Sequence, residues 1–252
     1  MIEVAPDILA LLVIVAFFAG FVDAVAGGGG LITLPVLIIA GAPPLTAIAT
    51  NKVQAVFGAG MAAYSYGKAG HVDLRRQLWV ALLALSAGGA GALLTSTLPT
   101  QLIRIALPVL LVAIAMFFAF KPGLNDLDRT ARLAPLAFTL TVVPLAAFYD
   151  GLIGPGAGSF YMIGFVALAG YGVLKATAHT KLLNFSSNFG GLLVYALVAS
   201  PWWITGLLMG VSQLAGAYVG ARMAMRIGAR LIKPLLVVSA SVLAAKLLWD
   251  ML

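Results

Sequence analysis

From end to end the sequence is a succession of apolar runs separated by short polar stretches, and this decides which solvent the chain folds in. An α-helix of about 20 apolar residues crosses a hydrocarbon core of about 30 Å with every backbone polar group satisfied inside the segment. Soluble domains carry about 25% charged residues; this chain carries 9%, with 62% hydrophobic. The alternating ten-residue pattern of a membrane β-barrel is absent. The sequence therefore predicts an all-α polytopic protein whose first partner is the lipid bilayer, with no stretch polar and long enough for a soluble domain.

The net charge of +7 excludes little by itself. The cations are few and lie in loops or at single helix positions, which fits cytoplasmic anchoring by the positive-inside rule and not nucleic-acid binding. The absence of cysteine excludes disulfides and thiolate metal sites. No motif implies a cofactor or a metal. The acidic start "MIEVAPD" lacks the basic region of a cleaved signal, so the first apolar run is expected to be retained.

Ten apolar segments are predicted, near 8–26, 28–41, 43–66, 77–97, 101–120, 133–153, 157–170, 172–197, 201–221 and 231–250. Eight are long enough to span. The two short ones, 28–41 and 157–170, reach only about 20 Å at about 1.5 Å per residue. Three charged stretches set the orientation: Lys68, Arg75 and Arg76; Lys121, Arg129 and Arg132; and Arg222, Arg226, Arg230 and Lys233. These are expected to be cytoplasmic. Uncharged "TSTLPTQ" and "ASPWW" are expected on the other side, as are both termini. Counting gives five crossings per half, in a plasma or inner membrane.

The halves resemble each other. "VDAVAGGGGLIT" aligns with "YDGLIGPGAGSF", placing Asp23 on Asp150, an offset of 127 residues. "TAIATNKVQAVFGAG" aligns with "KATAHTKLLNFSSNFGG", placing Lys52 on Lys181, Asn51 on Thr180 and Thr50 on His179, an offset of 129. Five crossings is an odd number, so the second half would enter from the opposite face. The expectation is two inverted-topology repeats, 1–125 and 126–252, each of about five helical segments.

The glycine runs read as helix interruptions near the midplane. Glycine carries backbone through conformations closed to other residues, and such breaks survive in lipid only where protein or water satisfies them. After each break a short helix begins. Its free N–H groups, at Gly28, Gly29 and Gly30 and at Gly156, Ala157 and Gly158, carry about half a positive charge, and two such ends meeting would cradle an anion. Close helix packing is the plainer reading of small residues; it explains Gly88, Gly89 and Gly91 better than four glycines in a row.

Lys52 lies about 13 Å into its helix and Lys181 at the matching depth. A central lysine costs about 2.5–3.5 kcal/mol to insert. Thr50, Asn51 and Gln54 accompany the first; His179, Thr180, Asn184, Ser187 and Asn188 accompany the second. A polar stripe holding a cation suits an anion site. The alternative is structural glue, Lys52 paired with Asp23 and Lys181 with Asp150. The two aspartates, each four residues before a glycine break, read equally as proton-coupling groups or as caps on the broken backbone. His179 has no second ligand for a metal, and Lys175 is placed to snorkel to the interface.

The stretches "GFVDAVAGGGGLITLPVL", "TAIATNKVQAVFGAG" and the weaker "DGLIGPGAGSF…ATAHTKLLNFSSNFGG" resemble the TauE/SafE family of sulfite and organosulfonate exporters, also called the toluene sulfonate uptake permease family. The resemblance implies transport of small sulfur-containing anions by a two-repeat fold with its site between the repeats. Asn51, Lys52, Thr180 and Lys181 fall on the family's repeat motifs. Pro155 and Ala157 stand where the first copy has Gly28 and Gly30, so the halves need not bind identically. The function expected is a secondary transporter, an exporter, with protons as coupling ion and no enzymatic activity. An anion channel, a carboxylate permease, or an intramembrane hydrolase using Ser159 and His179 are the alternatives.

Overall fold

A computed structural model describes residues 3–99, 101–102, 126–228 and 230. The segment expected at 231–250, most of that at 101–120, and Lys121 and Lys233 lie outside the described residues. Within them the chain forms eight helices: α1 (Pro6–Ala26), α2 (Gly29–Ile39), α3 (Pro44–Lys68), α4 (Leu78–Thr97), α5 (Pro135–Leu152), α6 (Ala157–Ala167), α7 (Val173–Val198) and α8 (Trp203–Ile227). Three of them, α1, α3 and α5, open on proline. There the missing N–H is one the helix could not use, and the fixed φ already suits the first turn.

Both glycine runs break the helix. α1 ends at Gly27 (φ 79°), and Gly28 (φ 96°) caps α2; in the second half Gly154 (φ 100°) and Gly156 (φ 79°) separate α5 from α6. All four occupy positive-φ backbone that a side chain would strain. Gly29 is required for a different reason: a Cβ there would lie 2.8 Å from the Ala19 carbonyl oxygen. The chain thus folds back onto the helix it has just left.

This corrects one expectation. The short segments do not continue across; they return. Arg129, Arg132 and Leu133, just before α5, donate backbone N–H groups to Gly170 and Leu168, just after α6. α5 and α6 are therefore a hairpin whose ends lie together. At the opposite end of the bundle Glu3, before α1, accepts from Ile204 and Thr205 at the start of α8. Trp202 N–H donates to Thr50 in α3 at 2.9 Å, and four residues join α2 to α3. α1 and α2 therefore also open at one end. The physical reason is length: 11 residues make about 16 Å of helix, half of a bilayer core.

The packing has a pattern. α1 and α3 pack against α8, while α5 and α7 pack against α4; α2 contacts α1 and α3, while α6 contacts α5 and α7. Exchanging α1–α4 with α5–α8 leaves this pattern unchanged. Each half thus lends its fourth helix to the other, and α3 packs on α7 between them. Backbones come close at glycine: a Cβ at Gly151 would fall on the Gly88 carbonyl, and one at Gly216 on the Phe17 carbonyl. Four helices, α1, α4, α5 and α8, are long and apolar enough to cross a membrane. α3 and α7, 25 and 26 residues, have the length but carry a polar stripe. That stripe is enclosed by neighbours and not by lipid.

The Glu3 clasp gives a pH-dependent term. Partial burial raises the Glu3 carboxyl, but hydrogen bonds from its own backbone, the Thr205 hydroxyl and the Ile204 and Thr205 N–H groups outweigh it and hold it below its ordinary value of 4.5. A depressed folded pKa contributes stability that is complete above the ordinary value and lost as pH falls through the folded one. Glu3→Gln is therefore expected to lower the melting temperature slightly at pH 7, with the difference from the parent protein closing below pH 4.5. A difference that persists unchanged in acid would show that the charge contributes nothing.

Candidate substrate site at the helix breaks

The two breaks touch. A Cβ at Gly27 would lie 2.5 Å from the Ser159 nitrogen, and one at Gly158 would lie 3.2 Å from Gly27 Cα. Ser159 Oγ donates to the Ala26 carbonyl at 2.9 Å. Around this contact lies a small polar cavity of about 20 Å³. One side is lined by the residues that open α2 and α6: Gly28, Gly30, Gly156, Ala157 and Gly158. The other is lined by Asp23, Asp150, Asn51, Asn184, Asn188 and Gln213.

A helix ending inside a protein leaves carbonyls without partners. Here the lysines reach carbonyls of the last turn, that of Asp150 and that of Asp23, which also accepts the Gly27 N–H at 2.8 Å. Lys52 Nζ donates to the Asp150 carbonyl, to Asp150 Oδ1 at 2.7 Å and to Asn188 Oδ1 at 3.1 Å, so all three of its N–H groups are engaged. Lys181 Nζ donates to the Asp23 carbonyl, with Asp23 Oδ2 at 4.0 Å. Both side chains are at most 1% exposed. The pairing within each half, Lys52 with Asp23 and Lys181 with Asp150, is therefore not the one formed. Each lysine crosses to the other half, because the helix end that needs a cation at that depth belongs to the other hairpin.

Tyrosines complete the caps, and sequence reasoning passed over them. Tyr66 hydroxyl donates to the Ala24 carbonyl and Tyr195 hydroxyl to the Gly151 carbonyl. They are related by the same 129-residue offset as the lysines. They lie past the ends of the aligned stretches, and a buried tyrosine in an apolar helix simply reads as core.

The two aspartates differ. Asp150 Oδ2 accepts from Asn184, Ser187 and Asn188, and its Oδ1 from Lys52. Asp23 accepts the Gly29 N–H at 3.1 Å and has Lys181 at 4.0 Å. The positions equivalent to Asn184, Ser187 and Asn188 in the first half are Ala55, Gly58 and Ala59, which donate nothing from a side chain. Gln213 from α8 fills the space at Gly58, and its Oε1 has no partner among the described residues.

The remaining candidates divide. Asn51 is at the cavity: Thr33 and Gln54 both donate to its Oδ1, and its amide nitrogen lies 3.3 Å from where a Gly30 Cβ would be. Thr50 instead accepts the Trp202 N–H. Thr180 is buried and its hydroxyl has no partner among the described residues. His179 stands apart, its ring 5.7 Å from Phe165 and 5.0 Å from Tyr171, lining a different cavity. With Ser159 bonded to Ala26 and His179 lining the other cavity, the Ser159–His179 dyad of the alternative hydrolase reading is not assembled. Lys175 pairs with Asp128 at 2.7 Å, both substantially exposed.

Comparison with known proteins decides the family. The sequence model described as "Sulfite exporter TauE/SafE" matches residues 12–247. The chain belongs to the TauE/SafE family. Relatives within reach of direct alignment carry transporter names. A "Probable membrane transporter protein ORF9" of Sinorhizobium sp is 52% identical over 248 residues, covering 98% of this chain and 95% of that one. The "Probable membrane transporter protein YfcA" of Escherichia coli K12 is 42% identical over 247 residues, covering 98% and 92%. A "Probable membrane transporter protein" of Haemophilus influenzae is 40% identical over 249 residues, covering 98% and 97%. No solved structure matches. Family membership and the apolar helices together make this chain a multi-pass membrane transporter.

The crossed pairing is testable by double-mutant cycles. Removing Lys52 alone leaves Asp150 buried without its cation, which costs about 3–5 kcal/mol. Lys52→Ala with Asp150→Ala should therefore be much less destabilising than the single changes summed, as read by unfolding in detergent. Lys52→Ala with Asp23→Ala should be additive. Coupling of Lys52 to Asp23 in place of Asp150 would overturn the arrangement.

Proposed function

We propose that this TauE/SafE protein is a secondary transporter, an exporter from the cytoplasm, for a small sulfur-containing anion such as sulfite or an organosulfonate. The observation that supports this most is the convergence of two short-helix N-termini on one polar cavity. The positive ends of two helix dipoles open on the same space, as an oxyanion requires; of the N–H groups expected to be free there, that of Gly29 is taken by Asp23 and that of Ala157 by the Gly154 carbonyl. Asn51 adds a side-chain donor. In the proposed arrangement residues 1–125 and 126–252 are two repeats inserted from opposite faces of the plasma or inner membrane, with the Arg-bearing loops cytoplasmic and both termini outside.

The cavity, at about 20 Å³, holds about one water molecule and not a sulfonate. Transport therefore requires the halves to separate, which favours alternating access over an open anion channel. The same donors would accept a carboxylate; the resemblance of the motifs to sulfite and sulfonate exporters is what supports the sulfur class. The lysines take a part different from the one their sequence positions suggest: with Lys52 engaged at every N–H, they hold the break in place and become anion contacts only when the closed arrangement loosens. We assign the coupling proton to Asp23. It has the fewest donors, and it faces the cavity, Lys181 on α7 and Asp150 on α5.

Proteoliposomes of the purified protein are expected to move labelled sulfite or ethanesulfonate, faster under a proton gradient directed with the anion than under one directed against it. Asp23→Asn should retain anion exchange and lose the response to the gradient, whereas Asp150→Asn should lose flux at least tenfold. Flux of neither anion, or an Asp23→Asn protein that follows the gradient like its parent, would refute the respective assignments.

A further inference from the structure

A second cavity, about 180 Å³, lies between α4, α5, α6 and α7 at the end of the bundle where the Arg-bearing loops gather. Phe138, Phe165 and Tyr171 supply rings; Gln77, Thr139 and His179 supply polar groups. It is nine times the volume of the central cavity, and comparable to an apolar cavity of about 150 Å³ that accepts benzene.

The opposite end of the molecule is built differently at the matching place. Thr50 and His179 are equivalent positions in the two halves. The residue before α8, Trp202, reaches Thr50 through its backbone N–H, and its side chain packs against the core. The residue before α4, Gln77, reaches the His179 carbonyl through Nε2 at 3.1 Å. Gln77 is buried, and its Oε1 has no partner among the described residues. Where one half places an indole, the other places an amide beside open space.

We infer that this side cavity is the antechamber for the transported anion, the place an organic anion occupies before it enters the central site. The inference rests on the transporter reading above and adds a route and a side to it. Cations outnumber anions around the mouth: Arg76 adjoins Gln77 and pairs with Asp73, Lys175 pairs with Asp128, Arg132 lies between the lining residues Ala131 and Leu133, and Arg129 is tied through its backbone N–H to Gly170, between Ala169 and Tyr171. These guanidinium groups draw anions to that end. The interior suits an anion with a short hydrocarbon part, rings and alkyl groups against the carbon chain and Gln77, Thr139 and His179 toward the head. The way inward is short. His179 and Asn184, which line the outer and inner cavities, are five residues apart on α7, about 7.5 Å. Thr180, with its buried unpartnered hydroxyl, stands between them in sequence.

The chain has no cysteine, so single cysteines report alone. Thr139→Cys and Val143→Cys place a thiol in the cavity, and Leu127→Cys, exposed in the segment before α5, is the control. The probe is 2-sulfonatoethyl methanethiosulfonate, a membrane-impermeant sulfonate. Both cavity variants are expected to react only from the Arg-loop side, to be protected by ethanesulfonate, and to lose flux at least tenfold once modified; modified Leu127→Cys should keep it. No reaction at either position, or flux within twofold of the modified control, overturns the antechamber. The parent protein and the unmodified control test the anion reading separately: if they transport nothing, that reading fails, and labelling of the cavity variants without ethanesulfonate protection then removes the antechamber as well.

Discussion

A helix that stops inside a bilayer exposes its last carbonyl groups to a medium that cannot hydrogen-bond them. Everything at the centre of this molecule follows from meeting that demand twice. α1 and α5 both end beside the central cavity, and each carries about half a negative charge at that end. An ammonium group from the opposite half and a tyrosine hydroxyl from the same half answer it: Lys181 and Tyr66 for α1, Lys52 and Tyr195 for α5. Because the lysines cross, neither hairpin is complete without the other half's third helix. The buried lysines are thus matched to fixed acceptors, which is what makes two central ammonium groups tolerable in lipid.

Much of this was legible in the sequence. The described helices begin and end within a few residues of the apolar segments, apart from the far end of α8, because proline starts and clustered glycine breaks are local signals, although single prolines such as Pro35 and Pro144 stand inside helices. The repeated Asp–Gly–Lys order picked out residues that meet at the helix breaks. Three things were not legible. The direction of the short helices depends on Gly29 docking against Ala19, a contact between residues that a linear reading treats as consecutive crossings. The crossing of the ion pairs depends on how the halves interleave, which no within-half spacing encodes. The separation of His179 from Lys181 depends on helical phase: two residues apart on a helix point about 200° apart, so one faces Tyr171 and the other Asp23.

The halves share a plan and differ in detail, and the differences are concentrated where function would need them. The substitution of Asn184, Ser187 and Asn188 for Ala55, Gly58 and Ala59 gives one carboxylate a full set of donors and leaves the other with one backbone N–H and a distant ammonium. A symmetric pair would have no reason to let one carboxylate go before the other. This arrangement makes Asp150 a fixed strut and Asp23 the adjustable member.

The same asymmetry says how an anion could enter a site that is already neutral. Two carboxylates and two ammonium groups balance, so an incoming anion adds an uncompensated charge in a low-dielectric interior. Lys52 cannot help without breaking a bond to Asp150 or Asn188. Lys181 makes one carbonyl hydrogen bond among the described residues and keeps Asp23 at a distance too long for a direct one. To turn toward an arriving oxyanion it would give up that one bond, where Lys52 would break one of three, and a proton on Asp23 would then restore neutrality. Anion binding and proton uptake would favour each other through this single loose pair, while the tight pair holds the two halves in register.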